Sequence, residues 1–169
     1  MTTHSLPSPI RIAPSLTPPL WLLGGTAAAV VDLALAALYW SGHGSAGLRV
    51  LQSIAAWAMG PAAYQGGWAS AAFGVLLYIG TLSAVMAAYQ HLSRRFRVLL
   101  RRPVVCGALY GALMYWLIFH VFVRYFSAAV THAHALPLEW EALCYAVYIG
   151  LIGIPCAFLA RTHVVRGNG

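Results

Sequence analysis

The chain has 169 residues, 61% of them hydrophobic and only 8% charged, with a formal net charge of +7. Soluble domains carry about a quarter charged residues, so this composition could not cover a water-facing surface and points to an integral membrane protein. All ten basic residues are arginines placed beside hydrophobic runs, the pattern of membrane flanks, so nucleic acid is not expected as a partner.

Residues 1–18 are polar and proline-rich (Pro7, Pro9, Pro14, Pro18) and read as a flexible cytoplasmic tail. The next run, Leu20–Trp40, is apolar, exceeds the roughly 7–15 residues of a signal-peptide core and is read as an uncleaved first span. Three more runs, Gly67–Tyr89, Val104–Val123 and Ala142–Ala160, also reach the length of about 20 helical residues that crosses a hydrocarbon core. Residues 19–161 are therefore expected to form one transmembrane domain, an all-α four-helix bundle, with 162–169 as a second short tail. Arg11, Arg94, Arg95, Arg97, Arg101, Arg102, Arg161 and Arg166 fall on one side of these spans, and Arg49 and Arg124 on the other. The positive-inside rule then places both termini in the cytoplasm, with the bundle in a bacterial inner membrane.

Between the first two spans, Leu48–Met59 is too short to cross. On a helix, Arg49, Gln52, Ser53 and Ala56 share one face, while Leu51, Ile54, Trp57 and Ala58 cover the rest. That pattern predicts a short interfacial helix with Trp57 at headgroup level, stopped by Gly60-Pro61; a re-entrant segment is the alternative.

Helices in lipid associate through small residues that permit close approach, and each span carries such a stripe. Gly24, Ala28, Asp32 and Ala36 lie four apart on the first, and Gly66, Ser70 and Gly74 on the second. The third holds Gly107-x-x-x-Gly111, and the fourth Gly150, Gly153 and the kink-prone Pro155. A spare stripe would serve a homo-oligomer or a larger membrane complex. The three cysteines, Cys106, Cys144 and Cys156, fall in or beside apolar runs without C-x-x-C spacing, so buried thiols are expected rather than a disulfide framework.

Asp32 interrupts "AAAVVDLALAALYW" on the small-residue face, about 12 Å along the helix from Trp40. An ionised acid at that depth costs on the order of 3 kcal/mol for insertion. It is expected to be protonated, paired, or hydrated through a polar cleft. His120, with Arg124 one turn on, lies at similar depth, and Asp32, His120, Arg124, Gln52 and Ser53 form the candidate buried polar cluster. One reading makes the cluster a packing device, with Asp32 paired to Arg124 or His120 or hydrogen-bonded to Ser, Thr or Tyr. A second makes it a proton or ion pathway through an outward cleft, with Asp32 at its base and His120 above.

The outer loops suggest a third reading, a metal-binding or redox accessory. His132-x-His134 with Glu139, Glu141 or His43 offers ligands for zinc or copper. A bis-histidine haem does not fit, because His91 and His120 lie at opposite ends of their spans. Arg94, Arg95, Arg97, Arg101 and Arg102 could hold anionic lipid head groups. No nucleophile–base pair, phosphate-cradling loop or H-E-x-x-H is present, so no enzyme activity and no resident cofactor are expected.

"LRVLQSIA", "GGWASAAFG" and "RRPVVCGALYGALMY", with Gly24-Gly25 and Asp32 before them, resemble a family of small bacterial four-helix inner-membrane proteins without an established activity. The likeness runs from about Gly24 to Ser127 and implies the same class. It favours Asp32, Gln52 and Ser53 as the shared polar set, since the family tends to carry Asn and Pro where this chain has His120 and Tyr125. The leading expectation is a non-enzymatic scaffold or accessory subunit, followed by the permeation unit and then the metal accessory.

Overall fold

The computed structural model describes residues 19–96, 98–128 and 137–166, and these are helical with short connections and no strand. In chain order the main elements are α1 (Leu20–Gly42), α2 (Gly47–Met59), α3 (Gly67–Arg95), α4 (Pro103–Phe126) and α5 (Leu138–Arg161). All but α2 are long and apolar enough to cross a membrane. The four expected spans thus appear as four helices, each longer than its apolar run. α3 continues past Tyr89 to Arg95 because nothing in that stretch breaks a helix, and Arg94 and Arg95 suit its negative C-terminal end.

Glycine sets the closest approaches. A Cβ at Gly25 would lie 2.5 Å from Ser83 Cα, so α1 meets α3 with no side chain between them. A Cβ at Gly107 would lie 2.6 Å from the Gly153 carbonyl oxygen, and Gly111 is pressed against the Tyr148 backbone, which brings α4 and α5 into backbone contact. Gly150, by contrast, has open space around it and takes no part in that crossing. On α1 the buried residues are Gly25, Ala28, Ala29 and Leu33, so the packed face is turned about one residue from the expected stripe and leaves Asp32 at its edge.

α2 does not turn all of its polar face outward. Gln52 is buried with Ile54, Ala55 and Ala56, and its amide donates to the Gly67 carbonyl (3.1 Å) and to Ser70 Oγ (3.4 Å) at the start of α3. A buried amide is tolerated when it finds such acceptors. Gly74 admits the Leu51 backbone, so α2 seats across the first turns of α3. Gly60, at φ 64°, reverses the chain into a 3₁₀ turn, Gly60–Gln65. The Ala128 N–H donates to the Trp57 carbonyl (2.8 Å), tying the end of α4 over α2.

Candidate functional site

Asp32 is held by tyrosines. The Tyr78 hydroxyl of α3 donates to Asp32 Oδ2, and Tyr78 Oη lies 3.0 Å from Tyr148 Oη on α5. A tyrosine has one hydroxyl proton. With that of Tyr78 given to Asp32, Tyr148 must donate to Tyr78, so a directed chain Tyr148→Tyr78→Asp32 links α5, α3 and α1. Tyr78 and Tyr148 are only 3% and 2% exposed, which leaves water no room to replace the bond between them. Asp32 itself is half-buried.

The acid opens onto a cavity of about 760 Å³, within the range of small-molecule sites. Tyr78 and Tyr148 form its deep end beside Asp32, and Trp57, Tyr115 and Phe119 form its walls. Arg49 and Tyr64, both exposed, mark the mouth. Trp40 of α1 and Trp140 of α5 meet there at 5.4 Å between ring centroids. One turn beyond the deep end, Ala29, Leu82 and Ile152 are fully buried and seal the bundle. These residues lie on the side of the cavity toward the arginine-rich turn between α3 and α4.

Two irregular helical turns shape this region. Leu117–Phe122 in α4 and Tyr148–Gly153 in α5 are π-helical. Such a turn admits an extra residue and rotates the residues beyond it by about 100° relative to a regular helix. His120 falls within the first of these turns. The structure turns His120 to Glu141 of α5 (Nε2–Oε1 3.2 Å) and stacks it on Trp116, outside the cavity. Arg124 is exposed and also outside it. Of the five residues expected to cluster, Asp32 and Ser53 share the cavity, Gln52 faces α3, and His120 and Arg124 lie elsewhere. Tyr78 and Tyr148 were not singled out by number, although tyrosine was among the expected partners of Asp32, and Arg49 was named only on the polar face of the short helix. The signal for the tyrosines was available in the long apolar runs, since each tyrosine carries a hydroxyl that needs a partner when buried.

The remaining candidates are dispersed. His43 stacks on Tyr39 (4.4 Å) and donates from Nδ1 to the Tyr39 carbonyl (2.8 Å). Glu139 is exposed at the first turn of α5, and Glu141 is engaged by His120. Among the described residues no three His, Cys, Asp or Glu side chains gather as a metal site would require; His132 and His134 lie outside those residues. Arg94, Arg95, Arg101 and Arg102 are exposed around the α3–α4 turn, and Arg97 lies outside the described residues. Comparison with protein-family models, with curated proteins and with solved structures finds no match to this chain.

Proposed function

We propose that this is a multi-pass protein of the bacterial inner membrane, with both termini cytoplasmic, that binds a small molecule in the cavity over Asp32 as the binding stage of a permeation unit. The observation that carries the reading is the position of Asp32. A costly intramembrane acid borders an open cavity of about 760 Å³ when it could have been packed away. The arginine asymmetry and the resemblance to small inner-membrane proteins support the placement. In this reading the mouth faces the outer side, α2 runs along the outer interface and exposed Arg49 sits among head groups. Passage to the other side would require the seal at Ala29, Leu82 and Ile152 to part.

The test is accessibility of the cavity to water. Ser53, which lines it, is changed to Cys in a chain carrying Cys106→Ala, Cys144→Ala and Cys156→Ala, and a membrane-impermeant methanethiosulfonate is added to one side at a time. Labelling is expected from the outer side alone, slowed about tenfold by Ala36→Phe, which fills the cavity. A thiol unreactive from both sides, or indifferent to Ala36→Phe, overturns the reading.

One observation favours a second reading, that of a scaffold or accessory subunit. The tyrosine chain binds α1, α3 and α5 together, as a packing device would. In that case Asp32→Asn, whose amide oxygen still accepts from Tyr78, leaves assembly and every binding property intact, and the protein co-purifies with a membrane partner.

A further inference from the structure

Resting on the cavity being a binding site, we propose that its ligand is an organic cation, an ammonium group seated at Asp32 with its apolar substituents against Trp57, Tyr115 and Phe119. Three independent features converge on this chemistry.

The first is an acid without a counter-charge. Asp32 receives a hydrogen bond from Tyr78, yet the ion pair found among the described residues joins His120 and Glu141, and no described cationic side chain pairs with Asp32. A carboxylate in a low-dielectric setting is stabilised most by a charge brought to it, and the side open to the cavity is where a ligand would bring one. The second is the wall. Trp57 meets Tyr78 at 6.2 Å and Phe119 at 5.8 Å in edge-on arrangements, and Tyr115 lies 5.0 Å from Phe119. Rings set edge-on expose faces as well as edges, and the face of an aromatic ring is the electron-rich side that attracts ammonium groups. A hard metal cation such as Ca²⁺ or Mg²⁺ would want six or more oxygens. The cavity offers it one carboxylate and a few hydroxyls among apolar rings.

The third is the distribution of charge. All three acids of the chain, Asp32, Glu139 and Glu141, lie in the half of the bundle that holds the cavity. Arg94, Arg95, Arg101, Arg102 and Arg161 lie at the other end. Arg49 at the mouth and Arg124 in the same half oppose a cation, but both are exposed and their fields are screened by solvent, whereas Asp32 acts from within.

The cavity supplies its own reporter, because Trp40, Trp57 and Trp140 line it. The full chain in lipid nanodiscs is titrated with benzyltrimethylammonium, with its neutral isostere neopentylbenzene, and with benzylsulfonate, following tryptophan fluorescence. The cation is expected to give a saturable change and to bind about tenfold more tightly than the isostere. Asp32→Asn should remove that preference and leave the isostere unchanged, while Asp32→Glu retains it. Trp57→Leu, which keeps the charge, should weaken the cation several-fold more than the isostere. Equal binding of cation and isostere, unmoved by Asp32→Asn, overturns the inference and leaves the cavity reading standing. Tighter binding of benzylsulfonate through Arg49 overturns it as well. Absence of saturable binding by the cation overturns it too, and if Ser53→Cys also proves unreactive the cavity reading falls with it.

Discussion

Replacing Tyr78 by Phe removes one oxygen and two hydrogen bonds. On one side Asp32 loses its donor; on the other, Tyr148 loses its acceptor. The two losses differ in kind. Asp32 is half-buried at the cavity, so water can replace part of what Tyr78 gave, whereas Tyr148, although it also lines the cavity, is only 2% exposed and its hydroxyl has little access to that water. Side-chain hydrogen bonds in membrane bundles average about 0.6 kcal/mol with a maximum near 1.7, and an orphaned buried hydroxyl costs about 1–3 kcal/mol. Tyr78→Phe should therefore destabilise by about 2–3 kcal/mol. Tyr148→Phe deletes a donor whose partner, Tyr78, is still occupied with Asp32, and should cost about 0.6–1 kcal/mol. The double variant should cost about as much as Tyr78→Phe with its orphan removed, hence less than the sum of the two. Reversible unfolding in mixed micelles, read by circular dichroism, measures all three. Equal costs for the two single variants, or strict additivity in the double, would refute the directed chain from Tyr148 through Tyr78 to Asp32.

The other predictions test the frame around the site. Gly111→Leu drives a side chain into the Tyr148 backbone and should destabilise by about 3 kcal/mol or more, while Gly150→Ala, with open space around it, should be neutral or stabilising by up to about 1 kcal/mol; the same unfolding assay compares them. Gln52→Leu removes the amide that holds α2 to Gly67 and Ser70 and should cost about 1–2 kcal/mol, with hydrogen exchange in α2 rising more than in α3. The His120–Glu141 pair is 40% and 33% exposed, so His120→Gln should change stability by less than about 1 kcal/mol and leave cation binding unaltered. A loss of cation binding in that variant would return His120 to the site.

The four long helices were legible because a run of about 20 apolar residues is the length and hydropathy that crossing a bilayer demands, and Leu20–Gly42 and its counterparts meet that requirement. The glycine contacts between α4 and α5 were legible for a similar reason: only small residues allow backbones to touch, and Gly107-x-x-x-Gly111 shows that directly. The partners of Asp32 were not. Depth along a span does not fix the direction a side chain faces, and the π turns at Leu117–Phe122 and Tyr148–Gly153 shift that direction just where His120 and Tyr148 lie. Nothing in the local sequence announces a π turn. Gln52 was expected among the buried polar residues and is buried, but its partners were not legible, because the Gly67 carbonyl comes from a segment fifteen residues on.

The positions of the glycines explain why there is a cavity at all. Helices that cross at an angle are closest at one level and diverge on either side of it. α4 and α5 touch at Gly107, Gly111 and Gly153, and α1 touches α3 at Gly25. Both approaches lie toward the arginine-rich end. Toward the opposite end lies the cavity, lined by large side chains, among them Tyr78, Tyr148, Trp57, Phe119, Trp40 and Trp140. α2 contributes to its lining, seated on Gly74 and fastened by Gln52, and even so the space is not closed. A bundle selected only for tight packing could have continued its small residues along α1 past Ala36. This one carries an acid at the cavity and aromatic rings along its sides. The same geometry that seals one end of the bundle thus makes the other end a receptacle, and Asp32 is the residue its contents would reach last.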